Sequence, residues 1–147
     1  MGLPLPTELT GEPVTEYLID SKEQMARTER MQNICVACHS RGWTDGQFSR
    51  FNNSIKTTNA ATLTAAKILL EAWKCGVAKG LEQKDSIFNE PLEKKWVEQW
   101  LFYANSIRFS SSMTGADYGA FADGRWYLNK NIREMAELLE LKKSGSR

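Results

Sequence analysis

The only histidine of the chain, His39, directly follows Cys38, and Cys38 lies three residues after Cys35, so two thiols and an imidazole crowd into five positions. Any fold this chain adopts must present that cluster at a turn. The third cysteine, Cys75, stands far along the sequence, and three thiols at these spacings do not describe a disulfide scaffold. Around the cluster the apolar residues recur at helical steps, and no segment alternates in the manner of a strand. An all-α fold is therefore expected, a bundle of long helices without internal repeats. With 147 residues the chain suits one domain. Its 41% hydrophobic and 25% charged residues argue against wholesale disorder. Lys and Arg number 19 against 18 Asp and Glu, a balance that gives no general case for nucleic acid or an acidic membrane. The apolar runs are too short for a transmembrane helix.

Residues 1–14, rich in proline, read as an extended arm without the basic and apolar regions of a signal peptide. Residues 15–143 form the helical domain and 144–147 a tail. A first helix is expected from Thr15 to Cys38, followed by a turn between Ser40 and Gly46. A second, long helix runs from Thr44 to Lys79, with Phe48, Phe51, Ile55, Leu63, Ala66, Leu70, Trp73 and Val77 as its apolar stripe. Poor helix formers between Asn52 and Asn59 mark a place for a break, and Gly80 a left-handed stop. Cys75 reads as a buried small hydrophobe on this helix. A third helix starts at Asn89 as cap, with Pro91 in its first turn and Leu92, Trp96, Trp100, Tyr103 and Ile107 along one face. The segment from Ser110 to Gly124 reads as a loop, and a last helix covers Arg125 to Lys143. The long second helix and the aromatic stripe offer more apolar surface than a lone bundle of this size buries, which points to a partner surface.

Cys35-Val36-Ala37-Cys38-His39 is the C-x-x-C-H pattern of covalent c-type haem attachment. Two thiols at this spacing can bond the two vinyl groups on one side of a porphyrin, and the adjacent imidazole is then carried to the iron as proximal ligand. A thioredoxin-like redox pair shares the two cysteines, but that motif sits near a βαβ pattern, which is absent here. Zinc could draw on Cys35, Cys38, His39 and Cys75, although adjacent Cys38 and His39 meet one tetrahedral ion with difficulty. With no second histidine, the sixth iron position falls to a methionine, an external histidine or nothing. Met113, in the loop downstream, is the best placed of Met25, Met31, Met113 and Met135; a methionine at helical spacing is more often core.

From the motif onward, the order of features resembles the C-terminal part of hydroxylamine-oxidoreductase-like octahaem cytochromes c. The resemblance rests on Cys35 to His39, on Trp96 and Trp100, on Met113-Thr114-Gly115-Ala116-Asp117-Tyr118, and on Gly124 with Trp126-Tyr127. It covers about Met31 to Leu139. It implies a haem c subunit that forms homotrimers, converts small nitrogen compounds such as hydroxylamine, hydrazine or nitrite outside the cytoplasm, and passes electrons to a partner cytochrome. It also implies that Tyr118 reaches the catalytic haem of another subunit and is bonded to it; a tyrosine that caps a helix terminus or fills a subunit contact fits the same position. Against the pattern, seven further attachment motifs are missing, and Gly119 to Asp123 hold none of the histidines the family often carries there. The chain is accordingly expected to be the C-terminal domain of a periplasmic multihaem parent, with the parent's other haem domains as partners and no catalysis of its own. Made without haem-attachment machinery, it would stay haem-free. Two other functions fit the same residues: a stand-alone monohaem cytochrome c with Met113 on iron, and a haem-free helical interaction module.

Overall fold

The computed structural model describes residues 19–80, 86, 89–113 and 124–145. They form helices, with no strand among the described residues. Helix α1 spans Ser21–Cys35 and starts at Asp20, whose carboxylate accepts the Glu23 N–H at 2.8 Å, a side-chain cap for an otherwise unpaired donor. The chain turns through Val36–Ser40 and enters helix α2, Arg41–Lys74. The turn thus comes earlier than the glycines of Ser40 to Gly46 suggest, and Ser40 is the cap of α2, accepting the Trp43 N–H at 3.3 Å. Gly42 and Gly46 lie inside the helix.

Helix α2 is continuous over 34 residues, about 51 Å at 1.5 Å per residue. The expected break between Asn52 and Asn59 does not occur, because the polar side chains there serve the helix. Thr58 Oγ1 donates to the Ser54 carbonyl at 2.7 Å and Thr62 Oγ1 to the Thr58 carbonyl at 2.9 Å, so both hydroxyls are buried with a partner. The helix ends at Lys74 rather than Lys79. The Val77 N–H reaches the Ala72 carbonyl at 2.9 Å and the Gly76 N–H the Trp73 carbonyl at 3.1 Å, with Gly76 at φ 72°. This is a Schellman stop, and Gly76 supplies the left-handed residue it needs. Gly80, also at positive φ, answers a different need. A Cβ there would lie 2.7 Å from the Trp73 indole, so glycine lets the chain cross the ring.

The face of α2 that the bundle covers is not the one drawn from its large apolar residues. Thr44, Ser54, Thr58, Asn59, Thr62, Ala65, Ala66, Leu69 and Ala72 are buried, whereas of the expected stripe only Ala66 is. The buried face lies roughly 60° around the helix from that stripe. Small side chains let the neighbouring helices approach closely, and Phe48, Phe51, Ile55, Leu63 and Leu70 are left half-buried beside them.

The next rod begins with α3, Pro91–Val97. Its cap is Glu90, one residue after the expected Asn89, with the Glu90 N–H bonded to the Glu93 carboxylate at 3.2 Å. Buried Glu93 also accepts from the Trp73 indole N–H at 3.0 Å, tying α3 to the end of α2. A π-helical segment, Glu98–Tyr103, then leads into α4, Ala104–Met113. The Ala104 N–H reaches back five residues to the Gln99 carbonyl, which inserts one extra residue into the helical register. The buried positions accordingly run Leu92, Trp96, Gln99, then Ala104, Ile107 and Ser111, with one spacing of five. Trp100 and Tyr103 drop out of the buried line: Trp100 stacks on Trp96 at 5.7 Å and stays 41% exposed, while Tyr103 stacks on Tyr127 at 5.7 Å. Helix α4 takes in Ser110 to Met113, the first part of the expected loop; residues 114–123, Tyr118 among them, lie outside the described residues.

Helix α5, Trp126–Gly145, packs against α2, α3 and the π segment. Asn131 Nδ2 donates to the Lys95 carbonyl at 2.7 Å and to Gln99 Oε1 at 3.1 Å, placing a buried amide against the irregular turn. One apolar cluster joins Ala65, Ala66, Leu69 and Ala72 to Leu92, Trp96, Met135 and Leu139; a smaller one joins Ala104, Ile107 and Leu128. Two ion pairs clip α5 in place, Lys95 with Glu134 and Lys143 with Glu71.

Candidate functional site

Cys35 is the last residue of α1, and the attachment motif forms the turn between α1 and α2. The turn is helical in kind. The Cys38 N–H bonds the Cys35 carbonyl at 3.2 Å and the His39 N–H bonds the same carbonyl at 2.9 Å. Residues three and four apart in such a turn lie on one side of it, so the local backbone sets Cys35, Cys38 and His39 along the same side. All three are reachable: Cys38 and His39 are exposed, Cys35 is half-buried, and both cysteines are free thiols. The imidazole of His39 stacks on the indole of Trp43, with centroids 3.8 Å apart and planes 16° from parallel.

The surroundings are apolar yet uncovered. Met31, one turn before Cys35, is 53% exposed, Ile34, one turn before Cys38, is 66% exposed, and Trp43 is 45% exposed. Helix α1 has no buried residue at all. A chain that spends large apolar side chains this way beside two thiols and an imidazole leaves room for a large apolar group on that face.

The other sequence candidates separate clearly. Cys75 is not buried; it is the exposed C-terminal cap of α2, its Sγ donating to the Glu71 carbonyl at 2.9 Å. Since α2 stands between the two places, roughly 50 Å of helix keeps Cys75 from any ion held by Cys35, Cys38 and His39, which removes the four-ligand zinc set. Among the described residues no group of three or more His, Cys, Asp or Glu side chains is arranged to hold a metal ion. Met135 is fully buried in the main cluster, while Met25 and Met31 are exposed on α1. The backbone of Met113 ends α4, but its side chain lies outside the described residues.

Trp43 is the residue that sequence reasoning missed. Its signal was present: an aromatic residue four positions after the motif histidine, in a segment assigned to a turn. Had Ser40 been read as a helix cap, the i, i+4 relation would have put the two rings together.

No family model matches the chain, and no curated protein does. A solved structure described as a hypothetical multiheme protein is similar to it: 38% identical, TM-score 0.76, over 95% of this chain. The chain spans 26% of the length of that protein. Among the described residues no helix is long and apolar enough to cross a membrane.

Proposed function

We propose that this chain is a c-type haem domain of a multihaem cytochrome. Cys35 and Cys38 would hold the haem through thioether bonds, and His39 would bind its iron. What carries the reading is the accessible C-x-x-C-H turn, closed on the Cys35 carbonyl, in a chain 38% identical over 95% of its length to a protein described as multiheme. The residues present suit the group: two free thiols, an accessible imidazole, and the uncovered apolar side chains of Met31, Ile34 and Trp43. When bound, haem supplies one-electron redox chemistry. The protein's own contribution is to set the direction of the two thiols and the imidazole through the Cys35 carbonyl, and to offer apolar side chains against the macrocycle.

The finer reading follows the resemblance to hydroxylamine-oxidoreductase-like proteins. The parent would act on small nitrogen compounds outside the cytoplasm, as a homotrimer whose remaining haem domains complete the catalytic unit, and would deliver electrons to a partner cytochrome. Tyr118 would reach the catalytic haem of a neighbouring subunit. Exposed Phe102, Phe109, Trp126 and Leu141 supply apolar surface for such contacts.

Co-expression with haem-attachment machinery tests the core of this reading. Intact mass should show one added haem, and Cys35→Ala/Cys38→Ala should lose it. An unmodified mass for the parent sequence under those conditions would overturn it.

A further inference from the structure

The His39 ring takes part in one contact that a haem-binding turn does not require, its stack on Trp43 at 3.8 Å and 16°. Among the described residues nothing hydrogen-bonds the imidazole. A histidine that binds a metal is ordinarily oriented by a hydrogen bond to its other ring nitrogen, and without one the ring is free to rotate about its side-chain bonds. Here the first turn of α2 does that work. Ser40 caps the helix by accepting the backbone N–H of Trp43 at 3.3 Å, which starts the helix so that Trp43 falls one turn after His39, and the indole lies flat against the imidazole. Trp43 is 45% exposed, so packing in the bundle core does not account for its place.

We propose that Trp43 is a positioning residue for His39 as iron ligand: its indole sets the plane of the imidazole and presents an electron-rich face to it. The inference rests on the haem reading above. A ligated imidazole carries more positive charge when the iron is ferric, and the negative face of an indole favours that state. Loss of the indole should therefore shift the ferric-to-ferrous equilibrium toward the ferrous form by about two- to five-fold.

The test has two stages. In the haem-free chain, the His39 ring protons should appear upfield by NMR in the parent sequence and move to ordinary positions in Trp43→Leu. Trp43→Phe, which keeps an aromatic face, should retain part of the shift. Ring protons unmoved by Trp43→Leu would overturn the inference at once. In matured chains with equal haem content by mass, spectroelectrochemistry should show the two- to five-fold change in Trp43→Leu and its partial recovery in Trp43→Phe. Equal potentials in all three would also overturn the positioning role, leaving the haem reading intact. Failure of the parent sequence to take up haem at all would overturn the haem reading and this inference with it, whatever the ring shifts.

Discussion

The C-terminal half of α2 and the helix α1 are both regular, well-capped helices, but they are held by opposite means. Between Ala65 and Ala72, α2 packs into a cluster with Leu92, Trp96, Met135 and Leu139, and its neighbours approach closely because the contact residues are small. Helix α1 has no buried residue and shows Met25, Met31 and Ile34 to solvent. The two helical segments draw their stability from different sources. The bundle stabilises itself by burying apolar area, whereas α1 and the C-x-x-C-H turn leave their apolar side chains uncovered.

The widest contrast should be in hydrogen exchange. In the haem-free chain, amides of Met25 to Ile34 should exchange about three orders of magnitude or more faster than those of Ala65 to Ala72, since α1 can open without breaching the core. Equal protection in the two segments would break the comparison. A smaller effect is expected in stability. Leu69→Ala, at a fully buried position, should cost about 2–5 kcal/mol in denaturant melts, while Ile34→Ala should stay within about 0.5 kcal/mol. A matching loss at Ile34 would mean that α1 is cored after all.

The smallest effect concerns the two lysines on Glu134, Lys130 within α5 and Lys95 across from α3. Hydrogen bonds from Lys130 and then Lys95 hold the Glu134 carboxyl down from its ordinary 4.5 to about 2. A depressed carboxyl contributes stability that is complete above its unfolded value. That contribution should fade as pH falls from about 4.5 through about 2. The gap in melting temperature between the parent sequence and Glu134→Gln should close over that window and be steady above it. A gap that widens on acidification would show that the ion pairs play no such part.

Several features were legible in the sequence because they depend on neighbours along the chain. Helical periodicity gave the all-α class, and Pro91 in a first turn gave the start of α3 within one or two residues. The C-x-x-C-H turn is closed by backbone hydrogen bonds from Cys38 and His39 to the carbonyl of Cys35. Ser40 was legible too, had its capping role been weighed against the glycines that follow it. These are local effects of backbone geometry, and local residues decide them.

Other features are outcomes of competition between surfaces. The large apolar residues of α2 marked one face, yet the bundle buries another, where threonine, serine and alanine permit close approach and the hydroxyls of Thr58 and Thr62 find their own carbonyls. The π segment moves Trp100 and Tyr103 out of the buried line, and Asn131 meets the irregular turn through the Lys95 carbonyl and Gln99. Cys75, expected on an apolar helix face, is instead an exposed cap where Gly76 ends the helix. Such choices turn on how closely two helices can approach and on whether each polar group they cover finds a partner. Close approach, and the pairing of Asn131 with Lys95 and Gln99, are set by residues distant in sequence, so periodicity along a single helix could not resolve them.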